Sequence, residues 1–221
     1  VLQIVVFGLS LTFLMALTET RTDLIESWKE TLREDTPNYF FFNIQDYQTE
    51  DISSFFDGRL SQPIKFTPLI RGRLLDVVSS TGEPVNAESM VEREANLTWF
   101  NALPENNLVL EGEWWSEGDP MPSISIDKGI ATSMNLALGD RLIFTAGGTN
   151  FEATVTSFRE VQWESFAPNF FFILSPNLGK DLPQSFITSL NIPPDSGIAD
   201  DFIQRFPTVT SVDLEAALGQ I

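Results

Sequence analysis

The sequence predicts an α+β protein: a split β-α-β layer of the ferredoxin-like kind, interrupted by a mainly β insert and preceded by a long helix. Three observations carry this. Two aromatic runs of strand length, YFFFNI from Tyr39 and NFFFIL from Asn169, are each accompanied by an amphipathic helix and a further apolar strand. Between them, residues 79–165 change texture to short alternating strands and turn formers. Ahead of both, Val1 to Thr18 contains no charged side chain.

That first stretch reads VLQIVVFGLSLTFLMALT. A bilayer core needs about 20 apolar residues in a helix, so the run reads as the end of a transmembrane helix. A signal peptide and a buried core helix are the competing readings. Leu17, Leu24, Ile25, Trp28 and Leu32 continue at helical spacing with charges on the other faces, which is the pattern of a stalk. Pro37 ends it by pushing the residue before it out of the helical region. Residues 1–34 are therefore expected to be the transmembrane helix end and stalk.

In the first β-α-β unit, residues 37–44 form the aromatic strand. Thr49 can cap a short helix with Ile52, Phe55 and Phe56 on one face, and Gly58 can stop it. Ile64 to Val78 is extended, with Pro68 marking an edge or bend. In the insert, strands are expected at 96–100, 107–114 and 123–126. Asp127 caps a helix carrying Ile130, Met134 and Leu138, and a hairpin turns at Gly147-Gly148. The second unit repeats the first, with strands at 168–174 and 184–192. Asp195 or Ser196 caps a helix bearing Ile198, Phe202 and Phe206, and a last strand covers 208–212. The α+β layer thus takes residues 35–78 and 166–212, and the β-rich subdomain residues 79–165. Asp213 opens a second stalk helix over 213–221.

Composition removes several function classes. A formal charge of −18, all of it beyond Thr18, repels phosphate backbones and argues against nucleic-acid binding. Without histidine or cysteine there are no disulfides and no thiol chemistry, and the commonest general base and metal ligand is missing. No glycine-rich run precedes Lys-Ser/Thr, so the chain hydrolyses no nucleotide by a P-loop. There is no G-x-S-x-G elbow, and Ser125 with Lys128 has S-x-x-K spacing but no supporting context. Neighbouring acids such as Glu92 with Glu94, Glu111 with Glu113, and Asp200 with Asp201 are expected by chance in so acidic a chain. The sequence nominates no catalytic, cofactor-binding or metal-ligating residue and no cofactor. Trp114 and Trp115, next to Ser-Glu-Gly-Asp-Pro, are the candidates for partner contact, with burial over the β-subdomain core as the other reading.

Several segments in combination resemble the YbbP-type permeases of the FtsX/MacB superfamily of ABC transporters. They are Thr22-Asp23-Leu24 to Trp28, PNYFFFNIQ at 37–45, EREANLTW at 92–99, LPENNLVLEGEWW at 103–115, GIATSMNLALGDRLIF at 129–144 and VTSFREVQWESFAPNFFFI at 155–173. The resemblance covers nearly the whole chain. It implies a periplasmic domain of a bacterial inner-membrane permease, with a porter-like α+β subdomain and an inserted, sabre-type β-rich subdomain. It also implies a cytoplasmic ABC ATPase bound through regions outside this sequence, a permease dimer, and a periplasmic protein or lipid-linked substrate. Of the two periplasmic domains in the larger YbbP-like proteins, this sequence is more similar to the second. The expected role is transport or ATP-driven mechanotransmission, without catalysis in the domain itself. A membrane-anchored hydrolase or ligand-binding module is the alternative from another class.

Overall fold

The computed structural model describes residues 7, 12, 13, 15 and 36–218, except 61, 88, 89, 92 and 164–166. It divides into two compact units, residues 1–36 and 37–221. In the first unit, Phe7, Thr12, Phe13 and Met15 are helical, and the side chains of Phe7, Phe13 and Met15 are exposed. The rest of the expected transmembrane run and the whole stalk to Glu34 lie outside the described residues. Among the described residues, no helix is long and apolar enough to cross a membrane.

The second unit begins with β1 (Tyr39–Ile44), a 3₁₀ turn, and α1 (Thr49–Phe56). The long strand β2 (Thr67–Val78) follows. After the β-rich stretch, the chain returns through β9 (Ser185–Leu190), α4 (Ile198–Arg205) and β10 (Thr210–Asp213). These strands pair antiparallel in the order β10-β1-β9-β2, with β2 contributing Thr67 to Leu69. Phe41 and Ile44 point to one face, where Ile52 and Phe56 of α1 and Phe202 of α4 join them, each at most 2% exposed. The helices sit there because their apolar residues recur on a single stripe while Glu50, Asp51, Asp200 and Asp201 occupy the first turns. The N-cap of α4 is Gly197 in the left-handed region rather than Asp195 or Ser196.

The intervening elements are β3 (Glu94–Trp99), β4 (Asn107–Gly112), β5 (Ser123–Asp127) and α2 (Lys128–Met134), then β6 (Arg141–Ala146) and β7 (Thr149–Val161). They are followed by β8 (Phe172–Leu174) and the short α3 (Pro176–Gly179). Six strands close a ring. β2 pairs with β3, β3 with β8, β8 with β5, β5 with β7, β7 with β6, and β6 returns to β2. Every second residue points inward. Ile70 and Leu74, Ala95 and Leu97, Ile124 and Ile126, Leu142 and Phe144, Ala153 and Val155, and Phe172 and Leu174 fill the interior, with Phe158 resuming the pattern after a bulge. This is a small barrel whose interior is filled by its own side chains.

Two further sequence expectations change and one holds. The run ending at Leu174, expected in the α+β layer, lies in the barrel instead: its strand β8 sits between β3 and β5, and β1 is flanked by β9 and β10. The two aromatic runs look alike because each is buried, and burial leaves no mark of which sheet a strand joins. The helix capped by Asp127 stops at Met134, since Asn135 turns left-handed with φ 55°, and Leu138 stands exposed. The hairpin at Gly147-Gly148 forms as expected, with φ of 57° and 84° at the two glycines, the signs of a type I′ turn.

The two sheets are joined by β2 itself. Its first three residues, Pro68 among them, pair with β9 in the antiparallel layer, and from Ile70 onward it belongs to the barrel wall. Leu69, Phe170 and Ile187, with Phe42 against them, form a separate apolar cluster at this junction.

Candidate functional site

The site defined by the fold is the corner where the chain enters and leaves the antiparallel layer. Tyr39 opens β1 and stands in register with Asp213, which closes β10. The Tyr39 hydroxyl donates to Asp213 Oδ2 at 2.9 Å. Asp213 Oδ1 accepts from the Ala216 amide at 3.1 Å and so caps α5 (Leu214–Leu218), as its position in the sequence suggested. Asn38 completes the clamp. Its Nδ2 donates to the Ile192 carbonyl and its Oδ1 accepts from the Ile192 amide, both at 2.8 Å, while its own carbonyl accepts from the Leu214 amide at 3.0 Å. Five hydrogen bonds thus tie entry, exit and the end of β9 into one knot. The Tyr39 ring stacks on Phe41 at 6.1 Å, which connects the knot to the aromatic core. Sequence reading identified Asp213 as a cap but missed Asn38 and Tyr39. Their signal was the polar pair between Pro37 and an otherwise apolar strand.

Trp114 and Trp115 lie in the loop after β4 with ring centroids 3.9 Å apart. Trp115 is buried, and its Nε1 donates to the Phe100 carbonyl at 3.0 Å. Trp114 is half-buried and donates to the Asn101 carbonyl at 3.2 Å. The pair staples this loop to the loop after β3 and leaves the Trp114 ring half-buried.

Two polar groups in the barrel wall escaped sequence reading. Arg159 is fully buried on β7, in register with Asp127, and one of its terminal nitrogens donates to the Phe170 carbonyl. Burial lowers its pKa to about 10 and the Asp127 charge acts in the opposite direction, so the guanidinium stays charged at neutral pH. Asp140, 1% exposed, accepts from the Ser80 amide at 2.7 Å, the Ser80 hydroxyl at 2.9 Å and the Ala137 amide at 2.8 Å. It pins the start of the β-rich stretch to the turn before β6.

These groups do not assemble into a reaction centre. Ser125 is buried against the Ser157 hydroxyl at 2.8 Å, and Lys128 is held by Glu111 at 2.6 Å, so they form no nucleophile–base pair. Asp201 faces Arg59 at 3.7 Å across the helix surface. Among the described residues, no group of three or more acids could hold a metal ion. An open cleft of about 480 Å³ beside α1 is lined by Ser53, Phe56, Leu60 and Ile64, with Asp57 its single carboxylate.

Comparison with known proteins places this geometry beside a transporter permease. The chain is similar to an ABC transporter permease. It is YbbP-like: it is 35% identical over 219 residues, 99% of its length, to the uncharacterized ABC transporter permease YbbP of Escherichia coli (strain K12). It spans 27% of that relative's length. A solved domain ascribed to a permease protein from Porphyromonas gingivalis is similar at a TM-score of 0.36 and 11% identity, covering 81% of this chain and 83% of that one. No family model matches the chain.

Proposed function

We propose that this domain is the extracytoplasmic, non-catalytic part of a permease subunit. It relays stalk movements produced by ATP binding and hydrolysis in a separate cytoplasmic ABC ATPase. In this reading the antiparallel layer is a split β-α-β, ferredoxin-like subdomain of the porter type. The barrel is its sabre-type insert, and residues 1–34 and 213–221 are the two connections to the inner membrane. The observation that carries it is the clamp of Asn38, Tyr39 and Asp213, because the strands that open and close the layer meet there at one corner. A tilt applied through either connection enters the same hydrogen-bonded knot. Strand β2 then runs unbroken from the layer into the barrel, so the displacement grows toward the far end of the body. The strand order β10-β1-β9-β2 supports the ferredoxin-like assignment. Periplasmic placement, a permease dimer and a protein or lipid-linked substrate complete the reading, with the half-buried Trp114 of the tryptophan pair as the candidate partner contact.

The test is mechanical. Insertion of a short Gly-Ser segment between Glu34 and Asp35 of the full permease is expected to abolish the transport phenotype while the ATPase continues to hydrolyse ATP. An unaltered phenotype with the flexible insertion would contradict the relay.

A further inference from the structure

Strand β4 has a hydrogen-bonded neighbour on one side and, among the described residues, none on the other. Its register with β7 runs from Asn107 opposite Val161 to Gly112 opposite Ser157, with a bulge between Val109 and Glu111. An unpaired edge is a row of main-chain donors and acceptors, which folded proteins cover or protect. This edge also carries apolar surface. Leu108 is 58% and Leu110 46% exposed, and Leu138, 41% exposed, lies against Gly112. Acids surround the leucines. Glu105, Glu111, Glu113 and Glu160 are exposed around the strand, Glu160 in register with Leu108. Glu111 is neutralised by Lys128, whereas Glu105, Glu113 and Glu160 have no ion-pair partner among the described residues.

We propose that the free edge of β4 is a docking site for an extended basic segment of another protein, added as a further strand. Main-chain hydrogen bonds supply the addition, alternate apolar side chains cover Leu108 and Leu110, and Lys or Arg side chains between them meet Glu105, Glu113 and Glu160. The charge selects the occupant. A second copy of this chain would bring its own −18 and the same acids to the same edge. The bulge keeps the usable edge short and twists it away from pairing with itself.

The experiment uses the full permease in detergent and a short peptide of alternating lysine and valine. A second peptide of the same sequence is N-methylated at alternate amides, which keeps its charge but removes one edge of donors. Backbone hydrogen exchange is expected to slow across Asn107 to Gly112 with the first peptide. Binding should weaken at least about tenfold with the methylated peptide, and by a similar factor in Leu108→Ser/Leu110→Ser, which leaves the acids in place. Equal affinity for both peptides, or an unchanged affinity in the serine variant, would reduce the effect to charge attraction and overturn the proposal. Protection of Asn107 to Gly112 that is already present without peptide and rises with permease concentration would assign the edge to a second copy and overturn it as well.

Discussion

Phe202→Ala is expected to destabilise the antiparallel layer by about 3–5 kcal/mol, the range for truncating a buried phenylalanine whose surroundings cannot collapse. Phe202 has no exposed surface. Its ring meets Phe41 of β1 at 4.4 Å, Phe56 and Phe55 of α1 at 5.0 and 5.6 Å, and Phe206 at 4.9 Å. Strand β1 and helices α1 and α4 therefore close on this one side chain. The edge-to-face contact with Phe55 and the stacked contact with Phe56 add to the area that the ring removes from water. A loss of this size is a large part of the 5–15 kcal/mol or so that holds a typical domain folded. Urea unfolding of the purified chain measures it. A loss below about 1 kcal/mol would mean that these elements do not share this core.

The second large effect is expected at Gly112, where β4 ends. Its φ is +75°, and a Cβ built there would lie 2.1 Å from the Thr156 carbonyl oxygen and 3.1 Å from Leu138 Cδ2. The clash is with backbone, so a rotamer change cannot relieve it. Gly112→Ala is expected to cost about 2–4 kcal/mol, roughly 1 from the left-handed backbone and the rest from forced separation of β4 and β7. Gly118→Ala is the internal comparison: φ is +80° but nothing lies within 4 Å, so only the backbone term of about 1 kcal/mol applies. If thermal unfolding gave equal losses for the two variants, close packing at the end of β4 would not be the cause.

The sequence showed local features and concealed long-range ones. The aromatic strand β1, the Asp127 and Asp213 caps and the hairpin at Gly147-Gly148 are each written within a few residues, by side-chain period or by turn chemistry. Closure of the barrel is not. It depends on β3 beside β8 and β5 beside β7, both parallel pairings between strands far apart in the chain, and such partners leave no local pattern. Residues 172–174 show the difficulty, because three consecutive buried apolar residues fit any core strand. Arg159 was not legible for a different reason: after the register shift around Thr156 it lies on the face opposite Phe158, and its neighbour there, the Phe170 carbonyl, comes from a loop that only the fold brings alongside. At the candidate site, Asp213 was legible as a cap, while its pairing with Tyr39 links residues 174 apart in the chain and could be seen only in the fold.

The central claim is that residues 37–213 move as one stiff body on their membrane connections. This chain contains no native cysteine, so spin labels can be placed in it without background from its own residues. Tyr47→Cys in the antiparallel layer and Leu108→Cys on the barrel side are both well exposed, at 77% and 58%. The distance between the two labels, measured by pulsed electron resonance in the assembled transporter with and without trapped ATP, tests the claim directly. The account predicts one narrow distance distribution, identical in both states, while the distance from either label to the bilayer changes. A label-to-label distance that changes with nucleotide would contradict it, because the joint would then lie within β2 and the body would bend instead of carrying the motion.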